Sequence, residues 1–220
     1  ARREDWLEEL ANLNVEGIAF KPCGASRTDP ILTDFRKKHP AIPIVTFDSD
    51  TDDKSLRVAN IGTDNVFLGR TLAKLLRQLR PGGGTWAFLG DKTPRINGFN
   101  QEITRYNDDE DRNEIWTEIE RNFSLDGLDY LEQMEAYATL LPDAFEALGQ
   151  SPMRIDNWTQ FVDAHHDITY IGTDGSDFQL DYLSRGYVDG LVGQQPHEMG
   201  SKSLEALYDL VVNNKAPEAD

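Results

Sequence analysis

Short apolar runs alternate with amphipathic stretches along the whole chain, and that alternation leaves few folds open. The runs at 15–20, 42–47, 57–61, 85–89, 114–123, 144–148, 168–172 and 190–194 read as strands. The stretches at 29–38, 65–79, 95–106, 126–141, 156–164, 178–183 and 201–212 read as helices, and Trp6, Leu7, Leu10 and Leu13 make a helical stripe ahead of them. The clearest helix carries Leu68, Leu72, Leu75, Leu76 and Leu79 and stops at Arg80-Pro81-Gly82-Gly83-Gly84, a strong terminator. Another ends before His39-Pro40, because the residue preceding a proline is pushed out of helical geometry. Strands that alternate with helices in this way require right-handed crossovers and parallel sheets covered on both faces, so the predicted class is α/β.

Length and composition narrow the function. With 220 residues the chain makes one large domain or two lobes of moderate size. It carries 22 Lys and Arg against 39 Asp and Glu, a net charge of −17, which argues against a surface that neutralises phosphates; no nucleic-acid partner is expected. No apolar run is long enough to span a bilayer, so direct membrane insertion of this stretch is not expected. The single cysteine, Cys23, allows neither an internal disulfide nor a thiolate-rich metal site. The sequence opens at Ala1-Arg2-Arg3 without an initiator Met or a signal segment, and reads as an excised piece.

Several local patterns fail on inspection. Asp48-Ser49-Asp50-Thr51-Asp52-Asp53 resembles the start of a calcium loop, but Asp53 stands where a glycine is needed and Ala59 where a bidentate Glu is needed. His165-His166 point to opposite sides of any regular element and lack zinc-ligand spacing. The acid run Asp108-Asp109-Glu110-Asp111 reads as a solvated turn, and the sequons at Asn122 and Asn157 are weak signals. Nucleotide-loop and nucleophile-elbow motifs are absent from the sequence. No cofactor, no metal and no catalysis are expected.

The isolated polar residues at strand ends say more, because open α/β sheets bind ligands outside the carboxyl ends of their strands. Asp48 follows the strand at 42–47, Asp174 the strand at 168–172, Gln194 ends the strand at 190–194, and Arg95 opens the helix after the strand at 85–89. Two carboxylates, a guanidinium and an amide suit a small polyhydroxylated ligand; each could instead cap a helix or sit in a surface loop. Trp158 and Trp116 are candidates to stack on such a ligand by composition only, and a core role is the expected one for each.

At these residues the sequence resembles the type I periplasmic binding proteins of the ribose and galactose group, whose fold is shared with LacI-type effector domains. The resemblance is carried by Val15-Glu16-Gly17-Ile18, by Ile42-Pro43-Ile44-Val45-Thr46-Phe47-Asp48-Ser49-Asp50, and by Ile61-Gly62-Thr63-Asp64-Asn65 followed by Gly69. It continues through Arg95-Ile96-Asn97-Gly98-Phe99, Ile171-Gly172-Thr173-Asp174-Gly175, Gly186-Tyr187 and Gly193-Gln194-Gln195-Pro196 with Met199-Gly200.

The resemblance implies two Rossmann-like lobes with parallel sheets, one of residues 1–63 and 196–220 and one of 64–195, closing on a ligand about crossings near Thr63 and Gln195-Pro196. It implies reversible binding of a small polar solute, a sugar or sugar-like molecule, in the cleft between them. Asp48, Arg95, Asp174 and Gln194 would contact its hydroxyls. It further implies a periplasmic or extracellular location and a membrane transporter or receptor partner. Alternatives are the sensing ectodomain of a membrane receptor, a repressor effector domain, or an enzyme. Against the family pattern, the first strand and helix precede Ala1 and the final strands follow Asp220, so the chain is expected to be truncated at both ends. Gly149-Gln150 replaces an Asn-Asp pair, and Ser49 stands where some ribose binders have arginine.

Overall fold

The structure, a computed structural model, describes residues 3–90, 93–109, 114–120 and 123–217. Glu110 and Asp111 of the acid run, and Asn122 of the first sequon, lie outside the described residues. The chain divides into two compact units, Ala1–Thr63 with Gln195–Asp220, and Asp64–Gln194. Each is a parallel sheet with helices on both faces, the α/β architecture that the alternation of runs requires.

The first unit holds the strands β1 (Ile18–Phe20), β2 (Ile44–Phe47) and β3 (Ala59–Ile61) in that spatial order. Ile18 pairs with Ile44, and Phe47 with Ile61. Side chains alternate across β2 with the strand period of two, so consecutive residues serve opposite layers. Ile44 faces helices α1 (Arg3–Asn12) and α2 (Ala25–Lys38) through Leu7, Leu32 and Phe35, while Val45 packs with Ala59 and with Leu207 of α8 (Pro196–Val211).

The second unit carries β4 (Gly84–Leu89), β5 (Trp116–Glu118), β6 (Ala144–Ala147), β7 (Thr169–Thr173) and β8 (Gly190–Val192), all parallel, in the order β5-β4-β6-β7-β8. On one face Trp86, Phe88 and Ile171 pack with α3 (Asn65–Leu79) and α4 (Thr93–Asn107). On the other, Phe145 and Tyr170 pack with α5 (Tyr130–Ala138) and α6 (Trp158–Ala164), and Tyr182 of α7 (Asp177–Arg185) adds to that layer.

Element types follow the sequence reading, and the boundaries move for identifiable reasons. Helix α8 begins at Pro196 rather than at 201, since a proline in the first turn gives up no intrahelical hydrogen bond. Helix α2 begins four residues earlier than expected, at Ala25, where buried Thr28 accepts the Cys23 N–H on its hydroxyl. Helix α5 is confined to 130–138: Asp129 caps it in a reciprocal box with Glu132, and Leu141 beyond its end takes a positive φ of 55°. Of the stripe expected on α1, Leu7 is buried, while Trp6 and Leu13 are exposed.

Candidate functional site

Asp48 and Asp174 share one local device. Each directly follows a strand, each takes the left-handed conformation (φ 64° and 82°), and each donates its backbone N–H to the last residue of the neighbouring strand, Ile61 or Val192, at 3.0 Å. That conformation is uncommon for a residue with a side chain, and Asp and Asn tolerate it best. The aspartate side chain is thereby turned off the strand line at the carboxyl edge of its sheet.

In the second unit three of the expected site residues meet. Arg95 is 7% exposed although it opens a helix. Its Nε donates to Asn65 Oδ1 at 2.8 Å and its Nη1 to the hydroxyl of the fully buried Thr173 at 2.6 Å; Nη1 also lies 3.8 Å from Asp174 Oδ1. Gln194 donates its amide to the same Asp174 oxygen. The other Asp174 oxygen accepts the Gln150 backbone N–H at 3.1 Å. A buried guanidinium held on three sides is a fixed donor array rather than a mobile surface charge, and the half-buried Asp174 carboxylate completes it.

The scaffold beneath this cluster explains its position. Helices α3 and α4 pack with their backbones nearly touching: a methyl placed on Gly69 would lie 2.0 Å from the Arg95 carbonyl oxygen, and one on Gly98 2.0 Å from that of Val66. Only glycine permits that approach, and the approach sets Arg95 against Asn65. The fully buried Gln179 donates its amide to the Thr173 carbonyl at 3.0 Å, while its oxygen accepts the Ser176 N–H and hydroxyl. The turn bearing Asp174 is therefore pinned at both sides.

Asp48 belongs to the first unit, where its carboxylate pairs with Lys21 at 2.9 Å. Next to it Asp50, drawn in sequence as a failed cation ligand, is held by Arg57 through two hydrogen bonds of 3.0 and 2.7 Å and by Thr46 at 2.9 Å. Burial alone raises its carboxyl, but Arg57, Lys54, Thr46 and the Thr51 N–H outweigh it and hold the group well below the usual carboxylate range. Asp50 is thus committed to the loop between β2 and β3. Among the described residues no cluster of His, Cys, Asp and Glu is arranged to hold a metal.

The two tryptophans take the core role expected for each. Trp158 is 1% exposed and donates its indole N–H to the Tyr187 carbonyl at 3.0 Å, and Trp116 is fully buried, so both are core residues that no ligand can reach. Sequence reasoning passed over Asn65, Thr173, Gln150 and Gln179. Asn65 and Thr173 stand within the motifs quoted above, but nothing in their spacing distinguishes them from a helix start and a strand end.

A family model described as periplasmic binding protein domain matches residues 1–215. No curated protein matches. Among solved structures the chain is similar to GanP, a glucose-galactose binding protein from Geobacillus stearothermophilus, with 23% identity, TM-score 0.70, and coverage of 97% of this chain and 76% of that one. It is also similar to an ABC transporter solute binding protein from Burkholderia graminis in complex with D-arabinose, with 20% identity, TM-score 0.70, and coverage of 98% and 76%. A third likeness is to the XylFII–LytSN complex, with 21% identity, TM-score 0.65, and coverage of 98% and 79%. At these identities the likeness establishes the fold. Among the described residues no helix is long and apolar enough to cross a membrane.

Proposed function

The chain belongs to the periplasmic binding protein family, and from that premise we propose that it reversibly binds a sugar or sugar-like solute, without converting it, for uptake across a bacterial envelope. The observation that carries this reading is the buried Arg95, wired to Asn65, Thr173 and Asp174, with Gln194 on the same carboxylate. Such an array offers charged donors and acceptors at fixed positions, which suits adjacent hydroxyl groups. Hydrogen bonds to charged partners contribute roughly 1.5–3 kcal/mol each, so a few of them support affinity of about micromolar after ordering costs. The sugars named for GanP and for the Burkholderia protein support the same ligand class.

In this reading the lobes are residues 1–63 with 196–220 and residues 64–195, Asp48 supplies a contact from the first, and ligand contacts from both favour a closed state. The protein works in the periplasm and hands its solute to a membrane transporter. The XylFII–LytSN complex supports a second reading, in which the loaded protein signals through a partner protein.

The test is a thermal-shift panel of pentoses, hexoses and polyols. One ligand class raises the melting temperature of the wild-type chain, and Arg95→Ala and Asp174→Ala each remove that rise. A panel without any response overturns the sugar reading, and full responses in both variants overturn the site.

A further inference from the structure

At the carboxyl edge of the three-stranded sheet a lysine stands beside a residue already assigned to the site. Lys21 directly follows β1 as Asp48 follows β2, and because Phe20 pairs with Thr46 the two residues arrive at that edge within one position of each other. Lys21 precedes Pro22, and a residue before proline is kept out of helical geometry, so it prolongs the strand instead of turning back. The buried Pro22 and the Cys23 N–H, donated to the Thr28 hydroxyl at 3.0 Å, fix the turn beyond it.

Lys21 Nζ lies 2.9 Å from Asp48 Oδ2, with 54% of the lysine side chain and 30% of the aspartate side chain exposed. The Ser49 hydroxyl donates to that same oxygen at 3.3 Å, and Oδ1 has no hydrogen-bond partner among the described residues. Arg57 and Lys54 engage Asp50 instead. An ion pair this open to water contributes little to folding. Its effect is to set a donor and an acceptor side by side at the edge of the sheet where ligands bind.

The chemistry of that pair is selective. An ammonium group donates hydrogen bonds and accepts none, an ionised carboxylate accepts and donates none, and a hydroxyl does both. A single hydroxyl set against the pair can therefore accept from Lys21 and donate to Asp48. A protonated amino group satisfies Asp48 but meets Lys21 as a like charge, and a carboxylate satisfies Lys21 but meets Asp48 in the same way. A chain of net charge −17 draws cations towards it, so the exclusion of a cationic ligand has to be local. Arg95 and Asp174 repeat the combination of donor and acceptor in the second unit.

We propose that Lys21 is a specificity-determining residue, which with Asp48 selects an uncharged sugar hydroxyl and rejects amino sugars and sugar acids. The assignment rests on the sugar-binding reading above, in which Asp48 contacts the ligand. Lys21 supplies a direct donor and at the same time cancels the aspartate charge that would otherwise recruit an amine.

Titration calorimetry on the full chain tests this with the sugar that responds most strongly in the thermal-shift panel, each of its monoamino-deoxy analogues, and its uronic or aldonic acid. The wild type is expected to bind the neutral sugar at least about tenfold tighter than any charged analogue. Lys21→Met is expected to bind the neutral sugar about fivefold more weakly and to gain at least about tenfold in preference for one amino analogue, the one whose nitrogen faces Asp48. Lys21→Arg, which keeps the charge, is expected to hold the wild-type order. The order of preference, unlike overall affinity, does not move with a merely structural loss. A wild type that prefers a charged analogue overturns the assignment, as does an order left unchanged by Lys21→Met. If neither the neutral sugars nor their charged analogues bind, the sugar reading itself falls, and the role of Lys21 with it.

Discussion

Glu146 is the residue least at ease in this molecule. It sits at the centre of β6, fully buried, paired in register with Phe88 and Ile171, and neither carboxyl oxygen has a hydrogen-bond partner among the described residues. Burial pushes its carboxyl well above the ordinary value, and the charge of Glu118 pushes it the same way. The folded state therefore keeps this group protonated after the unfolded chain has ionised it. Its contribution is fully present below about pH 4.5 and is lost as the pH rises towards the folded value. Glu146→Gln, which cannot ionise, is expected to melt several degrees above the wild type at pH 8 and to lose much of that lead at pH 4. Parallel melting curves across that range would remove the buried-acid account. Asp174 differs in its surroundings: it is largely buried, lies 3.8 Å from Arg95 Nη1, and accepts hydrogen bonds from the Gln150 N–H and the Gln194 amide.

Two elements decide where the site residues stand. The contact of α3 with α4 depends on backbone proximity at Gly69 and Gly98. Gly98→Ala drives a methyl into the Val66 carbonyl, which neither helix can relieve by turning a side chain. A loss of about 3 kcal/mol in urea unfolding is expected, at the upper end of overpacking costs, together with a weaker ligand response because Arg95 lies on the displaced helix. In the first unit the loop after β2 depends on Asp50 and Arg57, whose guanidinium side chain is 9% exposed. Arg57→Leu is expected to cost about 2 kcal/mol at neutral pH. Because the Asp50 carboxyl is depressed on folding, its stabilisation is present above the ordinary carboxylate pKa and is lost as the pH falls through the folded value. The gap between variant and wild type should therefore narrow in strong acid. A constant gap would show that Arg57 acts by packing alone.

At the scale of the whole molecule the net charge of −17 dominates. Excess charge of one sign repels itself in the compact state more than in the expanded chain. Raising salt from about 0.01 M to about 0.15 M shortens the screening length from about 30 to about 8 Å, and the melting temperature is expected to rise by several degrees. A fall would mean that specific ion pairs, such as Lys38 with Glu8 and Arg77 with Glu102, outweigh the general repulsion. The two units also differ in substance: the five-stranded sheet is covered on both faces by extended aromatic layers, while the three-stranded sheet rests on smaller clusters.

The sequence by itself determined the class and the strand ends. Alternating apolar runs and amphipathic stretches admit parallel sheets between helices, and residues just past such runs must fall at the carboxyl edge, which is why Asp48, Asp174 and Gln194 could be singled out. Helix α3 was legible to the residue, because leucines at helical spacing meet a Pro-Gly stop. Only the tertiary structure decided which polar residues meet. Asn65, Gln150 and Thr173 reach the Arg95–Asp174 cluster from three different elements, a conjunction that requires knowing the strand order β5-β4-β6-β7-β8. The unpartnered burial of Glu146 was equally hidden. Periodicity reports which side of an element is apolar, whereas burial and contact depend on what is packed against that side, and the packing partner lies far away in the chain.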